Sequence, residues 1–454
     1  MTDLMHFIEE TPLIDTHEHL YKETQFVQHG PDMLQALFDN YVAAELIVAG
    51  AALEAVQKLV NREIFQSQPI TVDSTTADVE SLWINLPDPD LKGRFSGVFD
   101  AWQRCQHTGY GEAVRLIAQR VYSMDEITPD SIEAAVPRHA ELRKPGERLR
   151  MLRDIGNLDH VQVDHFAWQC LPDPSGLDFF LYDISWHSLS NGQVNPEIIH
   201  RETGVEVSDL NSLQAAMEAI FARYAACAVA VKAQHAYQRT LLWQERDRLD
   251  VERCLQKLLR GHDITPDERA CLGDWCWARG VDLAAEHNLP FKIHTGYYAG
   301  YSSMIMERVR PGHLCALVMR YPATRFVLMH IAYPYHDEIS ALAKHFPNVY
   351  VDMCWAWSID PYSASNFVRR MIHSVPSHKL FAFGGDSFWP TASVAYAIQA
   401  RQWLNRALQA EIDDGLLSEA QAIALARRMM RTNQEACFDI EGTRAAIRKD
   451  AQRA

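Results

Sequence analysis

Short apolar, β-branched runs recur along the chain, each ending in a polar or ionisable residue and most followed by Gly, Pro or aromatic loop residues. Eight can be read: Leu13 to His17, His160 to His165, Phe179 to Asp183, Cys227 to Lys232, Pro290 to His294, Arg325 to His330, Val349 to Asp352 and Leu380 to Gly384. Helical patterns lie between most of them, among them Leu210 to Arg223, Gly273 to His287, and Gly312 to Met319, which stops before Tyr321-Pro322. Strands alternating with helices predict a parallel sheet. Eight strand–helix units predict a closed α/β architecture, the (β/α)8 TIM barrel, in preference to an open doubly wound sheet. No GxGxxG follows the first run and no P-loop motif occurs, which removes the usual nucleotide signatures of the open alternative.

About 140 residues separate the first two runs, far more than a βα connection needs, so this segment must carry structure of its own. It reads as helical over Asp32 to Val56, Ala113 to Val121 and Ser131 to Leu142, with turns at Pro87-Asp-Pro89 and Lys144-Pro-Gly146. The expected organisation is barrel strand 1 over 1–19, an inserted helical subdomain or lid over 20–158, and the rest of the barrel with its C-terminal helices over 159–454. Leaving from the C-terminal end of strand 1, the insertion would hang over the active-site face and help to choose the substrate.

Composition narrows the function. The 454 residues carry 43 Lys+Arg against 59 Asp+Glu, a net charge of −16, which disfavours nucleic acid and anionic membrane surfaces as partners. With 22% charged and 48% hydrophobic residues the chain is an ordinary globular one. No apolar stretch approaches the ~20 residues of a membrane span. The acidic start, Met1 to Glu10, is unlike a signal peptide, so a cytoplasmic location is expected. Nine Cys, scattered without a CxxC pair, suit reduced and mostly buried thiols. A small-molecule substrate is the expected partner, and a homo-oligomer remains open.

His17-Glu18-His19 places two imidazoles on one face at the end of the first strand, able to chelate one metal. Such a pair alone carries little weight among 20 His. Its context adds to it: Lys232, His294 and His330 end later strands, and Asp386 follows the eighth. Side chains converging from strands 1, 4, 5, 6 and 8 supply four imidazoles and a carboxylate, the set preferred by borderline divalent ions such as zinc.

At these residues the sequence resembles the amidohydrolase superfamily, and within it the amidohydrolase domains of nodulin-related and fungal glutamine-synthetase fusion proteins. The carrying residues are Asp15-Thr-His-Glu-His19, Val229 to Tyr237, Phe291 to Tyr298, Met329 to Tyr335, Pro347 to Asp352, Gly384-Gly-Asp-Ser387 and Asn433. Uronate isomerases are more distant relatives that also carry a large insertion after strand 1. The resemblance implies His17 and His19 as ligands of the more buried metal, His294 and His330 as ligands from strands 5 and 6, and Asp386 as ligand and proton shuttle. Lys232 would be carboxylated and bridge the ions if two metals bind. If one binds, His330 is freed for second-rank work near the reaction centre, and Lys232 is a structural or substrate-binding ammonium.

A bound divalent ion would lower the pKa of its water to about 7. Asp386 would take that proton and later deliver it to the leaving group, and the ion or His330 would polarise the substrate carbonyl. Hydrolysis of an amide, ester or lactone bond is the expected reaction. The alternatives are a metal-dependent decarboxylase, in whose relatives an acidic ligand stands where Asp15 does, a uronate-type isomerase, and an inactive barrel that only binds. His165, Asp183, His235, Tyr237, Trp186, Trp355, Trp357, Trp389, Arg308 and Arg310 are further candidates for the pocket or its mouth. No GxSxG elbow is present, which disfavours a serine hydrolase.

Overall fold

The computed structural model describes residues 2–62, 64 and 89–452. Its eight strands are β1 (Leu13–Glu18), β2 (Leu158–Val163), β3 (Phe180–Ser185), β4 (Ala228–Ala233), β5 (Phe291–His294), β6 (Phe326–Met329), β7 (Val349–Asp352) and β8 (Leu380–Phe381). They form one sheet in chain order, and every neighbouring pair is parallel. The two ends meet through backbone hydrogen bonds from Thr16 N to Phe383 O (3.1 Å), Asp386 N to His17 O (2.9 Å) and His19 N to Ser387 O (3.0 Å). The expected (β/α)8 barrel is therefore the fold found. Strand β8 is shorter than the run Leu380 to Gly384, because Ala382 N turns aside to Met429 O (2.8 Å).

Side chains on a strand alternate faces, so the barrel interior reads in steps of two residues. Ile14, Leu181, Val229, Val327 and Phe381 form an apolar floor against Cys437, Phe438 and Ile440. One step along, Lys292 Nζ lies 2.8 and 3.0 Å from the two oxygens of Asp183 and 2.7 Å from the Thr16 carbonyl. Both charged groups are fully buried. Removing one partner of such a pair leaves a bare charge, at a cost of about 3–5 kcal/mol. The next step is the C-terminal rim, where the ionisable strand ends gather.

Between β1 and β2 the described residues are mainly helical. The single helical run expected over Asp32 to Val56 is three helices, Met33–Phe38, Val42–Val48 and Leu53–Val60. Asn40 causes the first break: its side chain donates to Leu37 O (2.9 Å) and accepts from Val42 N (3.0 Å), competing with helical pairing. Gly50, at φ +103°, makes the second. Helices Gly109–Tyr122 and Pro129–Leu142 agree with the pattern, and the Lys144-Pro-Gly146 turn is present with Gly146 at φ +86°. Of the Pro87-Asp-Pro89 turn, Pro87 and Asp88 lie outside the described residues.

This helical region packs along the helix that follows β8, Pro390–Asp413. Gln399 Nε2 donates to Gly109 O (2.9 Å) and Glu112 Oε2 (2.6 Å), and Trp403 Nε1 reaches the same carboxylate at 3.0 Å. A Cβ on Gly109 would stand 2.2 Å from the Ser358 carbonyl, so only glycine allows this approach. Among the described residues no helix is long and apolar enough to cross a membrane. All nine cysteines are free, and most are buried.

Candidate metal centre

His17 and His19 leave the end of β1 together, and Asp386 meets them from the segment after β8. Asp386 stands in the left-handed region at φ +56°. Its amide is held by His17 O, and its carbonyl accepts the Tyr41 hydroxyl at 2.5 Å. Its carboxylate divides between two groups. Oδ1 lies 3.2 Å from His17 Nε2 and 3.3 Å from His19 Nε2, while Oδ2 faces His330 Nε2 at 3.9 Å.

The far side of each ring fixes what the near side offers. His19 Nδ1 lies 2.6 Å from the Asp164 carbonyl and His330 Nδ1 2.9 Å from the Cys354 carbonyl. A carbonyl only accepts, so both Nδ1 atoms carry a proton, and in the neutral rings both Nε2 atoms present lone pairs. Each lone pair then faces a carboxylate oxygen in a site where His19, the most open of the group, is 6% exposed. Two buried acceptors facing each other repel, and a cation among them turns the contact attractive. Imidazoles held from behind by carbonyls, with a shared carboxylate, are a donor set that fits a borderline divalent ion.

The electrostatics agree. Burial, with Lys232 nearby, holds His17 well below the ordinary imidazole range. Burial likewise takes His330 down to about 4, so both rings are neutral at pH 7.

Lys232 is fully buried at the end of β4, its Nζ 3.2 Å from His17 Nε2 and 3.5 Å from Gln234 Oε1. It thus adjoins the cluster through His17. His294 stands differently from the expectation for a ligand. Its Nε2 lies 2.9 Å from the Tyr297 carbonyl, and its ring packs on His330 (4.3 Å) and Tyr237 (4.8 Å). Among the described residues, two sets of potential ligand atoms lie within 4.8 Å of one another, His17, His19 and Asp386, and His330, Cys354 and Asp386; His294 belongs to neither.

The backbone around the cluster is shaped for close approach. A Cβ on Gly385 would lie 2.0 Å from Glu18 Oε1, and one on Gly384 2.8 Å from Cys354 Sγ. Glu18 Oε2 accepts from Ser387 N (2.7 Å), and Asp15 Oδ1 from Gly385 N and His17 N (3.2 Å each). The two acids of β1 thus clamp the turn that carries Asp386. His330, Ile331 and Ala332 run at φ +64°, +46° and +49°. Left-handed backbone costs non-glycine residues about 1 kcal/mol or more each, and such strain collects where geometry matters to function.

Sequence reasoning missed Cys354, Tyr41 and the clamping role of Glu18. Cys354 was within reach, since it follows β7 at the strand end where the other candidate residues fall. Tyr41 was not, because nothing local in the sequence links it to Asp386, 345 positions away. Of the weaker candidates, Trp355 lines the centre, stacked on Tyr41 at 4.0 Å and edge-on to His330 at 5.4 Å. Trp389 ties the helical region down through Asp39 Oδ2 (2.8 Å). Tyr237 packs on His294, and His165 is buried near His19. Asp183 is spent on Lys292. Trp186 and Trp357 donate to the Cys276 and Ala382 carbonyls inside the core, and His235 packs on Trp277. Arg310 pairs with Glu338 at 2.5 Å, away from the pocket role. Arg308 is half-buried, and its carbonyl accepts from Leu241 N (2.9 Å).

Residues 212–426 match the amidohydrolase family model. Protein fluG of Emericella nidulans is 26% identical over 253 residues, 51% of this chain and 29% of that protein, so the chain spans under a third of its length. Uronate isomerase from Thermotoga maritima superposes with a TM-score of 0.75 at 16% identity, covering 96% of both chains. Glucuronate isomerase from Caulobacter crescentus gives 0.75 at 14% identity, covering 96% of this chain and 93% of its own. A Lactobacillus casei protein provisionally described as a metal-dependent hydrolase gives 0.64 at 15% identity, covering 98% and 99%. By its matched segment the chain is similar to the amidohydrolase family, and by its fold it is a (β/α)8 barrel like those of the uronate isomerases.

Proposed function

We propose that this chain is a metal-dependent hydrolase that cleaves an amide, ester or lactone bond of a small molecule. The observation that carries the reading is the approach of His19 Nε2 and Asp386 Oδ1, two buried acceptors 3.3 Å apart with His17 Nε2 beside them. His17, His19 and Asp386 would hold the ion, zinc by the softness of imidazole donors, and Lys232 and His330 adjoin it. Such an ion supplies a water acidic enough to attack at neutral pH and polarises the bond to be cleaved. Asp386 accepts the proton of the attacking water and returns it to the leaving group. The Asp164 carbonyl keeps His19 Nε2 turned inward. Tyr41, through the Asp386 carbonyl, keeps the carboxylate in register.

Two observations bear on the other reactions of this fold. Asp15 Oδ1 is engaged with the amides of His17 and Gly385, which leaves only Oδ2 for the ligand role of the decarboxylase reading. A uronate needs a cation for its carboxylate, and Arg239 and Arg246 after β4 are paired with Asp274 and Arg310 after β5 with Glu338, which leaves Lys232, beside the ion site, to meet it. Uronate-type isomerisation is the second reading, supported by the fold shared with two isomerases.

Zinc-loaded protein assayed against a panel of amides, esters and lactones, and in parallel against uronates, separates them. Turnover of a hydrolysable substrate that disappears with the metal is the expected result. Interconversion of aldose and ketose acids would replace the hydrolase reading by the isomerase one. A chain that binds no divalent ion would overturn both.

A further inference from the structure

We propose that Cys354 Sγ, His330 Nε2 and Asp386 Oδ2 form a second divalent-cation site, adjoining the site of His17, His19 and Asp386 Oδ1 and sharing the Asp386 carboxylate with it. The inference rests on the metal-binding reading of the first site and adds to it a soft ligand from β7, a strand from which no ligand was expected.

Several independent features converge on Cys354. It is fully buried, and its Sγ lies within 4.8 Å of ligand atoms of both His330 and Asp386. Its backbone is pinned, with its amide on Asp352 Oδ1 at 2.8 Å. Its carbonyl accepts from His330 Nδ1 at 2.9 Å, so the same residue fixes the tautomer that turns the His330 Nε2 lone pair inward. That Nε2 is fully buried with no hydrogen-bond partner, a costly state for a polar atom unless something is there to meet it. Gly384 leaves the room the thiol occupies. His294, which would otherwise pair with His330, has its Nε2 on the Tyr297 carbonyl.

Asp386 completes the set. One oxygen faces His17 and His19 and the other faces His330, the arrangement of a carboxylate that bridges two ions. Imidazole, carboxylate and thiolate together select zinc, cobalt or cadmium over magnesium or calcium, which prefer all-oxygen sites. As the sulfur–metal bond forms, the Cys354 S–H bond breaks and its proton leaves to solvent, with no change in oxidation state. Without an ion, burial and the Asp386 carboxylate keep the thiol well above its ordinary range and chemically quiet.

The test compares the full chain with Cys354→Ser and Cys354→Ala, stripped of metal and reconstituted with zinc or cobalt. The wild type is expected to retain about two zinc equivalents per chain and each variant about one. The cobalt form of the wild type should show near-ultraviolet thiolate-to-cobalt absorption that both variants lose, while the visible bands of the remaining ion persist. If the cysteine variants misfold, His330→Asn serves as the second probe and should lose the same absorption. Equal stoichiometry and equal absorption in wild type and variants would overturn the second site and leave the first standing. A wild-type chain holding about one ion without a thiolate band would do the same. A wild-type chain that holds no ion would overturn both readings.

Discussion

The Tyr41 hydroxyl donates to the carbonyl of Asp386 at 2.5 Å, joining the helical region after β1 to the residue proposed to move the proton. Asp386 is in a left-handed conformation, and its side chain must divide between His17, His19 and His330, so a small rotation of its backbone displaces every contact at once. Tyr41→Phe removes the hydroxyl and keeps the stacking on Trp355. We expect a loss of about 1 kcal/mol in stability. We also expect a fall in kcat of roughly tenfold with zinc stoichiometry unchanged, since a carboxylate out of register slows the step it serves. Steady-state kinetics and metal analysis on the same preparation check this, and unchanged kcat would remove Tyr41 from the machinery.

Asp386→Asn keeps the shape and removes the base. Loss of a positioned general acid–base costs about 10²–10⁴ in rate. We expect kcat to fall within or beyond that range while His17 and His19 still hold an ion and the circular dichroism is that of the wild type. A variant that turns over normally would show that the proton moves elsewhere.

The glycines at 384 and 385 give a prediction about packing. Gly385→Ala would place a Cβ 2.0 Å from Glu18 Oε1, within a turn that Glu18 and Asp15 clamp from both sides. Neither carboxylate can withdraw without abandoning a buried amide, so the strain has no cheap outlet. A loss of about 2–3 kcal/mol in stability, together with weakened zinc binding, is expected. Gly415→Ala is the control: at φ +71° with nothing within 4 Å, it should cost about 1 kcal/mol and leave zinc binding intact. Thermal melts and zinc titrations of the two variants separate the effects.

These cases show why the barrel was legible in the sequence and parts of its centre were not. The strand runs of a parallel sheet buried on both faces are apolar and short, and the ionisable residue that ends each one marks the C-terminal rim. His17, His19 and Asp386 could therefore be grouped from the sequence. The tautomers could not, because the Asp164 and Cys354 carbonyls that set them are backbone groups whose positions depend on the closed barrel. His294 shows the same limit from the other side. Its place at the end of β5 matches a ligand, and which ring nitrogen it can offer is set by one loop carbonyl, Tyr297 O, 2.9 Å from Nε2. In the helical region, apolar spacing found the helices but overran the breaks at Asn40 and Gly50, where side-chain hydrogen bonding and a positive φ outweigh propensity.

The helical region also carries a pH dependence that can be measured apart from the centre. His139 is buried, its Nε2 2.8 Å from the Pro31 carbonyl and its Nδ1 3.0 Å from the Tyr122 hydroxyl, so Nε2 donates and Nδ1 accepts. Burial outweighs the Pro31 carbonyl and lowers its pKa from 6.5 to about 4. The unfolded chain then binds more protons than the folded one between these values, and stability rises with pH across that window. The contribution is fully present above pH 6.5 and is lost as the pH falls toward 4. Between pH 7 and 5 the loss from this group is about 2 kcal/mol. His139→Leu cannot titrate, so the stability difference between wild type and variant, taken from urea unfolding, should move against the wild type by about that amount over the same interval. A difference that stays constant from pH 7 to 5 would mean that His139 is protonated, or exposed, in the folded chain.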